Sequence, residues 1–285
     1  MTLPPTFSAA SARAAGLTRA QLRGSSYVRM AHDLVVRLDD AIDLRERLRV
    51  LATVLPPDAA YSHRTAAALL GAWVDAPARH HVALTPRRVL PQRAEFVVHG
   101  RALSPADVVE LDRLRVTSGP QTFLDLAAVL PADELVAVGD ALLRRRRMTP
   151  EELSARLARG RRVRGVVRAR ACAPLLSPKS MSRPESLMRY WLTTSDLPDP
   201  EPQVPVLDRR GNEVAHGDLG YPRWRVLLEY EGAHHADAAT FGTDIERYSL
   251  MGADGWLVLR FAKRHLHRTT VLERTRRALM SRGWR

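Results

Sequence analysis

The sequence holds one cysteine, Cys172, in 285 residues. An internal disulfide and a cysteine-rich metal site are therefore excluded, and a reducing, cytoplasmic setting is expected. Set between alanines in an arginine-rich stretch, Cys172 reads as a small apolar filler, with a reactive thiol as the alternative. Lysine is confined to Lys179 and Lys263. No run approaches the roughly 18 apolar residues that span a bilayer, so no membrane partner is expected. The opening MTLPPTFSAASARAAG lacks an unbroken apolar core behind early charge, so an export signal is not expected either. Internal repeats and low-complexity tracts are also missing.

What is present is arginine. The formal net charge is +13, and nearly every cation is a guanidinium. Guanidinium forms planar, bidentate contacts with phosphate, so an anionic partner is expected, DNA first. The competing explanation is compositional, since an Arg-, Ala- and Leu-rich chain with almost no Lys also reflects a high-GC coding sequence. Hydrophobic residues make up 45% of the chain, an ordinary globular share, and the length predicts two or three domains.

Residues 7–37 predict a small helical unit with a β wing. SAASARAAG is helix-prone and stops at Gly16; Thr18 caps a second short helix, TRAQLRG; SSYVRMAHDLVVR then alternates as strands do. Helix, tight turn, helix and strand pair outline a winged helix-turn-helix. From Ala41 to about Arg170 the pattern predicts an α+β segment. Asp43 and Ser62 are helix caps, HHVALTP, AEFVVHG and LDRLRVTS are strand-like, and Gln121–Leu130 and Pro131–Leu143 are helical. Thr149-Pro150-Glu151-Glu152 is a capping box with proline at the first helical position. The arginines between Arg144 and Arg170 are read as a phosphate-tracking surface or, equally, as solvated helix faces. Pro174–Arg183, rich in Pro and Ser, is the linker candidate.

From Pro184 the order becomes helix, strand, strand, strand, helix, strand. Ser182 and Glu185 cap the first helix. On the strand 224–231 side chains alternate, so Glu229 and Glu231 share one face and Val226, Leu228 and Tyr230 the other. A hairpin returns Asp218 beside Glu229. Three converging carboxylates make a hard oxygen site suited to Mg²⁺ or Mn²⁺, which activates water for phosphodiester hydrolysis. The alternative is a solvated strand face with accidental acids.

Pro184-Glu185-Ser186, the run VAHGDL ending on Asp218 and Leu219, LEYEG with His235, Arg247, and GWLVLRF resemble a widespread bacterial domain-of-unknown-function family. That family is similar to the very-short-patch mismatch-repair endonucleases, within the PD-(D/E)XK restriction-endonuclease-like fold. The resemblance implies metal binding by Asp218, Glu229 and Glu231, with Glu185, His235 and Arg247 as further catalytic positions. It implies phosphate contact by Arg260, for which pairing with an acid is the alternative. Two departures stand out: Glu231 replaces the usual Asp, and no Lys follows the second acid by two residues. Further forward, GLTRAQLRG, AAYSHRTAAALLG and VTSGPQTFLDLAAVLPADELVAVGDALLRRR resemble AbiEi-type antitoxin and transcriptional-regulator proteins of actinobacteria. That resemblance implies a winged-helix front whose DNA contacts are Arg19, Gln21, Arg23 and, on the wing, Arg29.

The sequence therefore predicts a multi-domain α/β chain. A winged-helix-like unit occupies residues 1–40, an AbiEi-like α+β domain 41–173, a linker 174–183 and an endonuclease-like α/β/α domain 184–285. The function expected first is Mg²⁺- or Mn²⁺-dependent hydrolysis of DNA. The alternative is a non-catalytic DNA-binding regulator of the antitoxin type.

Overall fold

The structure is a computed structural model. It describes residues 6–23, 27–31, 34–37, 43–90, 93–160, 162–207, 211, 213–232, 249 and 251–285. The chain divides into two compact units, 1–126 and 127–285, where the sequence suggested breaks near residues 40 and 174.

The first unit opens with β1 (Thr6–Ser8) and α1 (Ala9–Ala14), which ends at Gly16 with φ 81°. The expected second helix is a single 3₁₀ turn, Gln21–Arg23. Thr18 and Gln21 close it reciprocally: the Thr18 N–H donates to Gln21 Oε1 at 2.8 Å and the Gln21 N–H to Thr18 Oγ1 at 3.2 Å. Helices this short gain little from propagation, so the local cap sets the geometry. β2 (Tyr27–Ala31) and β3 (Leu34–Arg37) pair antiparallel and, with β1, form a three-stranded sheet of order β1-β3-β2.

A five-stranded mixed sheet follows, of order β6-β5-β4-β8-β7. It comprises β4 (Ala60–Tyr61), β5 (His80–Leu84), β6 (Phe96–Gly100), β7 (Val108–Leu111) and β8 (Leu114–Thr117). The helices α2 (Leu44–Ala52), α3 (His63–Leu69) and α4 (Gly119–Ala127) belong with it. Asp43 caps α2 as expected, accepting from the Glu46 N–H at 2.8 Å. Leu48, Leu51, Tyr61, Val82, Val116 and Phe123 are buried in this unit, and Tyr61 donates its hydroxyl proton to the Leu48 carbonyl at 2.6 Å. The strand β7 was not foreseen. It is a hairpin partner of β8 across Asp112 and Arg113, both at positive φ, the backbone that a tight two-residue turn requires.

The second unit begins with α5 (Ala132–Arg144), α6 (Pro150–Arg159), α7 (Val166–Cys172) and α8 (Arg183–Thr193). Thr149 and Glu152 form the expected capping box on α6. Cys172 is buried, as expected of an apolar filler. The Pro/Ser segment before α8 is held rather than loose. The Ser177 N–H donates to Asp140 at 2.7 Å, and Arg189 donates to the Leu175 carbonyl at 2.7 Å. A second mixed sheet, of order β12-β11-β10-β9, contains β9 (Glu201–Leu207), β10 (Glu213–Tyr221), β11 (Val226–Glu231) and β12 (Leu257–Ala262). β9, β10 and β11 run antiparallel in turn, and β12 adds parallel to β11. Val226 and Leu228 pack with α8 and with α9 (Arg268–Ser281) through Leu187, Leu192, Val271 and Leu279. Leu227, on the opposite face, packs with Val204, Val206 and Met251. Both faces of β11 are therefore covered, so the strand is apolar throughout until Glu229. Among the described residues no helix is long and apolar enough to cross a membrane.

Candidate functional site

The hairpin β10–β11 positions the three predicted carboxylates. The register runs Leu219 opposite Leu228 and Tyr221 opposite Val226. Asp218 lies one residue beyond the first of these pairs and accepts the Tyr230 N–H at 2.8 Å. Its neighbour Gly217 leaves the space that Leu227 fills: a Cβ there would meet Leu227 Cδ2 at 2.8 Å. Glu229 is only 4% exposed and is registered beside Arg260 of β12. Glu231, at the strand end, is ion-paired with the Arg260 guanidinium.

Glu185 stands in the first turn of α8 and is buried. Ser182 caps the helix as expected, but the Glu185 carboxylate turns outside the helix. It accepts the Met181 N–H at 2.8 Å and the Gln203 amide of β9 at 3.2 Å. Burial pushes its pKa up, and the Met181 N–H acts against that rise. Glu185 thus ties α8 to β9. His235 and Arg247 lie outside the described residues.

In the first unit Arg19 is exposed on the turn before Gln21. Gln21 spends its side-chain oxygen on Thr18, while Arg23 ends the turn and Arg29 lies in β2. In the second unit Arg144 to Arg147 are exposed at the end of α5. Other arginines of the same stretch are structural. Arg168 donates to the Ala127 and Leu130 carbonyls at 3.0 and 2.6 Å, and Arg170 to Leu157 at 2.8 Å. The basic stretch is therefore part exposed surface and part backbone clamp.

One constellation escaped the sequence reading. His63, His81 and His99 of the first unit bring their ring nitrogens together, although they are 18 residues apart in successive steps. His63 lies in the run AAYSHRTAAALLG that carries the AbiEi resemblance, but nothing local points to its partners on β5 and β6.

Residues 59–175 match the family model described as the AbiEi antitoxin C-terminal domain. The AbiEi resemblance of the front part is supported over that range. The chain is also similar to a solved structure described as the RV2827C protein from Mycobacterium tuberculosis. The identity is 18% and the TM-score 0.45, over 65% of this chain and 75% of that one. No curated protein matches the chain.

The expectation of a metal-dependent DNA hydrolase is corrected by the family match, which is to an antitoxin domain. Nothing in the comparisons supports the endonuclease resemblance of residues 184–285. The local chemistry agrees with the correction. Arg260 neutralises Glu231, the Asp218 carboxylate is bound to a backbone N–H, and the position two residues after Glu229 is an acid where a lysine would serve catalysis.

Proposed function

We propose that the protein is a non-catalytic DNA-binding regulator of the antitoxin type. The observation that carries this reading is the match of residues 59–175 to an antitoxin domain. The arginine-borne charge of +13 supplies the electrostatic attraction that such a role needs. On this reading residues 1–40 act as the winged-helix-like unit. Arg19, Gln21 and Arg23 approach base edges and phosphates from the turn, and Arg29 does so from the wing. The C-terminal α/β unit serves as a scaffold. The single cysteine is buried, which suits a reducing, cytoplasmic setting.

A Mg²⁺ or Mn²⁺ ion at Asp218, Glu229 and Glu231 enters as a structural cation only. The oxygen donors suit such an ion, but Arg260 already occupies Glu231 and would have to withdraw. No reaction step is assigned to it.

The test is fluorescence anisotropy of labelled duplex DNA with the wild type and with Arg19→Ala and Arg23→Ala. If these residues contact phosphate, each variant binds more weakly on all sequences and its salt slope falls by about one. Unchanged affinity and slope in both variants would remove the front unit from the interface.

A further inference from the structure

We propose that His63, His81 and His99 form a binding site for one divalent transition-metal ion, with zinc as the representative. Their ligand nitrogens all lie within 4.8 Å of one another. His81 Nδ1 and His99 Nε2 are 2.9 Å apart. Two nitrogens on one tetrahedral zinc, each at about 2.0–2.1 Å from it, are about 3.3 Å apart. The 2.9 Å pair is close to that value, and no pair of donors is more than 4.8 Å apart.

The fold builds this convergence from three elements. β5 and β6 are parallel neighbours, with His81 opposite Val97 and Ala83 opposite His99. His81 and His99 are therefore diagonal neighbours on one face of the sheet. α3, which joins β4 to β5, delivers His63 from its first residue. The backbone of His63 is left-handed, with φ 48°. Side chains with a Cβ rarely adopt that region, and residues held there cluster at functional sites. His63 is 4% exposed, and its ring stacks on His99 at 3.8 Å between centroids.

The surroundings are those of a ligand set. Ser62 occupies the cap position of α3 without capping it; its hydroxyl sits 3.0 Å from His63 Nδ1 instead. Asp125, fully buried, has its carboxylate 3.9 Å from the same nitrogen. At that distance the carboxylate acts on the ring through its charge rather than through a hydrogen bond. The charged groups near the cluster are Asp125 with its ion pair Arg101 at 3.1 Å, together with Arg64 and Arg79 toward His81. An all-imidazole donor set selects zinc, copper, nickel or cobalt over Mg²⁺, whose ligands are oxygens.

The experiment uses the full chain without a polyhistidine tag, stripped with chelator and titrated at neutral pH. Zn²⁺ is followed by calorimetry and Co²⁺ by visible absorption. The expected result is one tight ion per chain, with Co²⁺ bands of tetrahedral nitrogen ligation and no thiolate charge-transfer band. His81→Gln and His99→Gln, chosen because these rings are only half-buried, should each weaken Zn²⁺ binding by about 100-fold or more. Circular dichroism checks that both variants stay folded. The wild-type cobalt spectrum is a second readout that needs no variant. Absence of Zn²⁺ and Co²⁺ binding, a thiolate band that places the ion at Cys172, or wild-type affinity in both folded variants would overturn the proposal.

Discussion

Asp140 shows how much of the second unit depends on single polar groups. It is fully buried in α5, and three donors converge on it at 2.7 Å: the Ser177 N–H, the Ser186 hydroxyl and the Arg189 guanidinium. Burial raises its pKa, and the charge of Arg189 works against that rise. Arg189→Ala leaves this carboxylate buried without its counter-charge and should cost about 3–5 kcal/mol. Urea unfolding followed by circular dichroism measures the loss, and a cost under about 1 kcal/mol would mean that Asp140 is held neutral. Glu185 offers a pH test of the same physics. Its folded pKa is raised above the ordinary 4.5, mainly by burial. Above pH 4.5 the unfolded chain therefore loses this proton first, the folded state holds more protons, and stability falls as pH rises toward the folded pKa. Each pH unit in that window costs at most about 1.4 kcal/mol. Glu185→Gln removes the term, so its melting temperature relative to wild type should rise from pH 4.5 upward. A difference that stays flat or falls with pH would refute the assignment.

At the scale of elements, the junction before α7 rests on a glycine. Gly165 has φ 88°, and a Cβ there would meet the Ala128 backbone nitrogen at 2.5 Å and the Ala127 carbonyl carbon at 2.7 Å. Backbone cannot yield as a flexible side chain does. Gly165→Ala should therefore destabilise by more than about 1 kcal/mol, read as a lower urea midpoint at unchanged slope. An unchanged midpoint would show that the approach is not tight. The same local logic explains which elements the sequence reveals. Asp43, Thr149 and Ser182 cap where expected because a cap is decided within four residues. The alternation over residues 226–231 was readable for the same reason, although both faces proved to be covered. What escaped depends on distant partners. β7 exists because β8 pairs with it, and its exposed Val109 and Glu110 carry no alternation signal. The helix expected at Thr18 shrank to one turn because a reciprocal side-chain cap closed it. The Pro/Ser run read as a linker is anchored by Asp140 and Arg189, neither of them near in sequence. The histidine cluster joins three strand and helix ends that only the sheet order brings together.

At the scale of the whole molecule, the charge, the antitoxin-domain match and the chemistry of the C-terminal hairpin lead to one account. The arginine excess suits a polyanionic partner, residues 59–175 match an antitoxin domain, and Arg260 is ion-paired with Glu231. The acids at 218, 229 and 231 are visible in the sequence, but their reading as a hydrolase site is overturned by the antitoxin-domain match, and the ion pair of Glu231 with β12 forms across 29 residues, where no local signal shows it. Binding without cleavage is the central claim. Its most direct measurement incubates one labelled duplex with the full chain, with and without Mg²⁺ or Mn²⁺. Affinity is recorded from about 50 to 200 mM salt and strand integrity at each point. The account predicts that affinity falls by about 10³-fold or more across that range, as it does for proteins that neutralise six or more phosphates, and that the strands stay intact with either metal. A salt-independent affinity, or metal-dependent cleavage that Glu229→Gln abolishes, would contradict it.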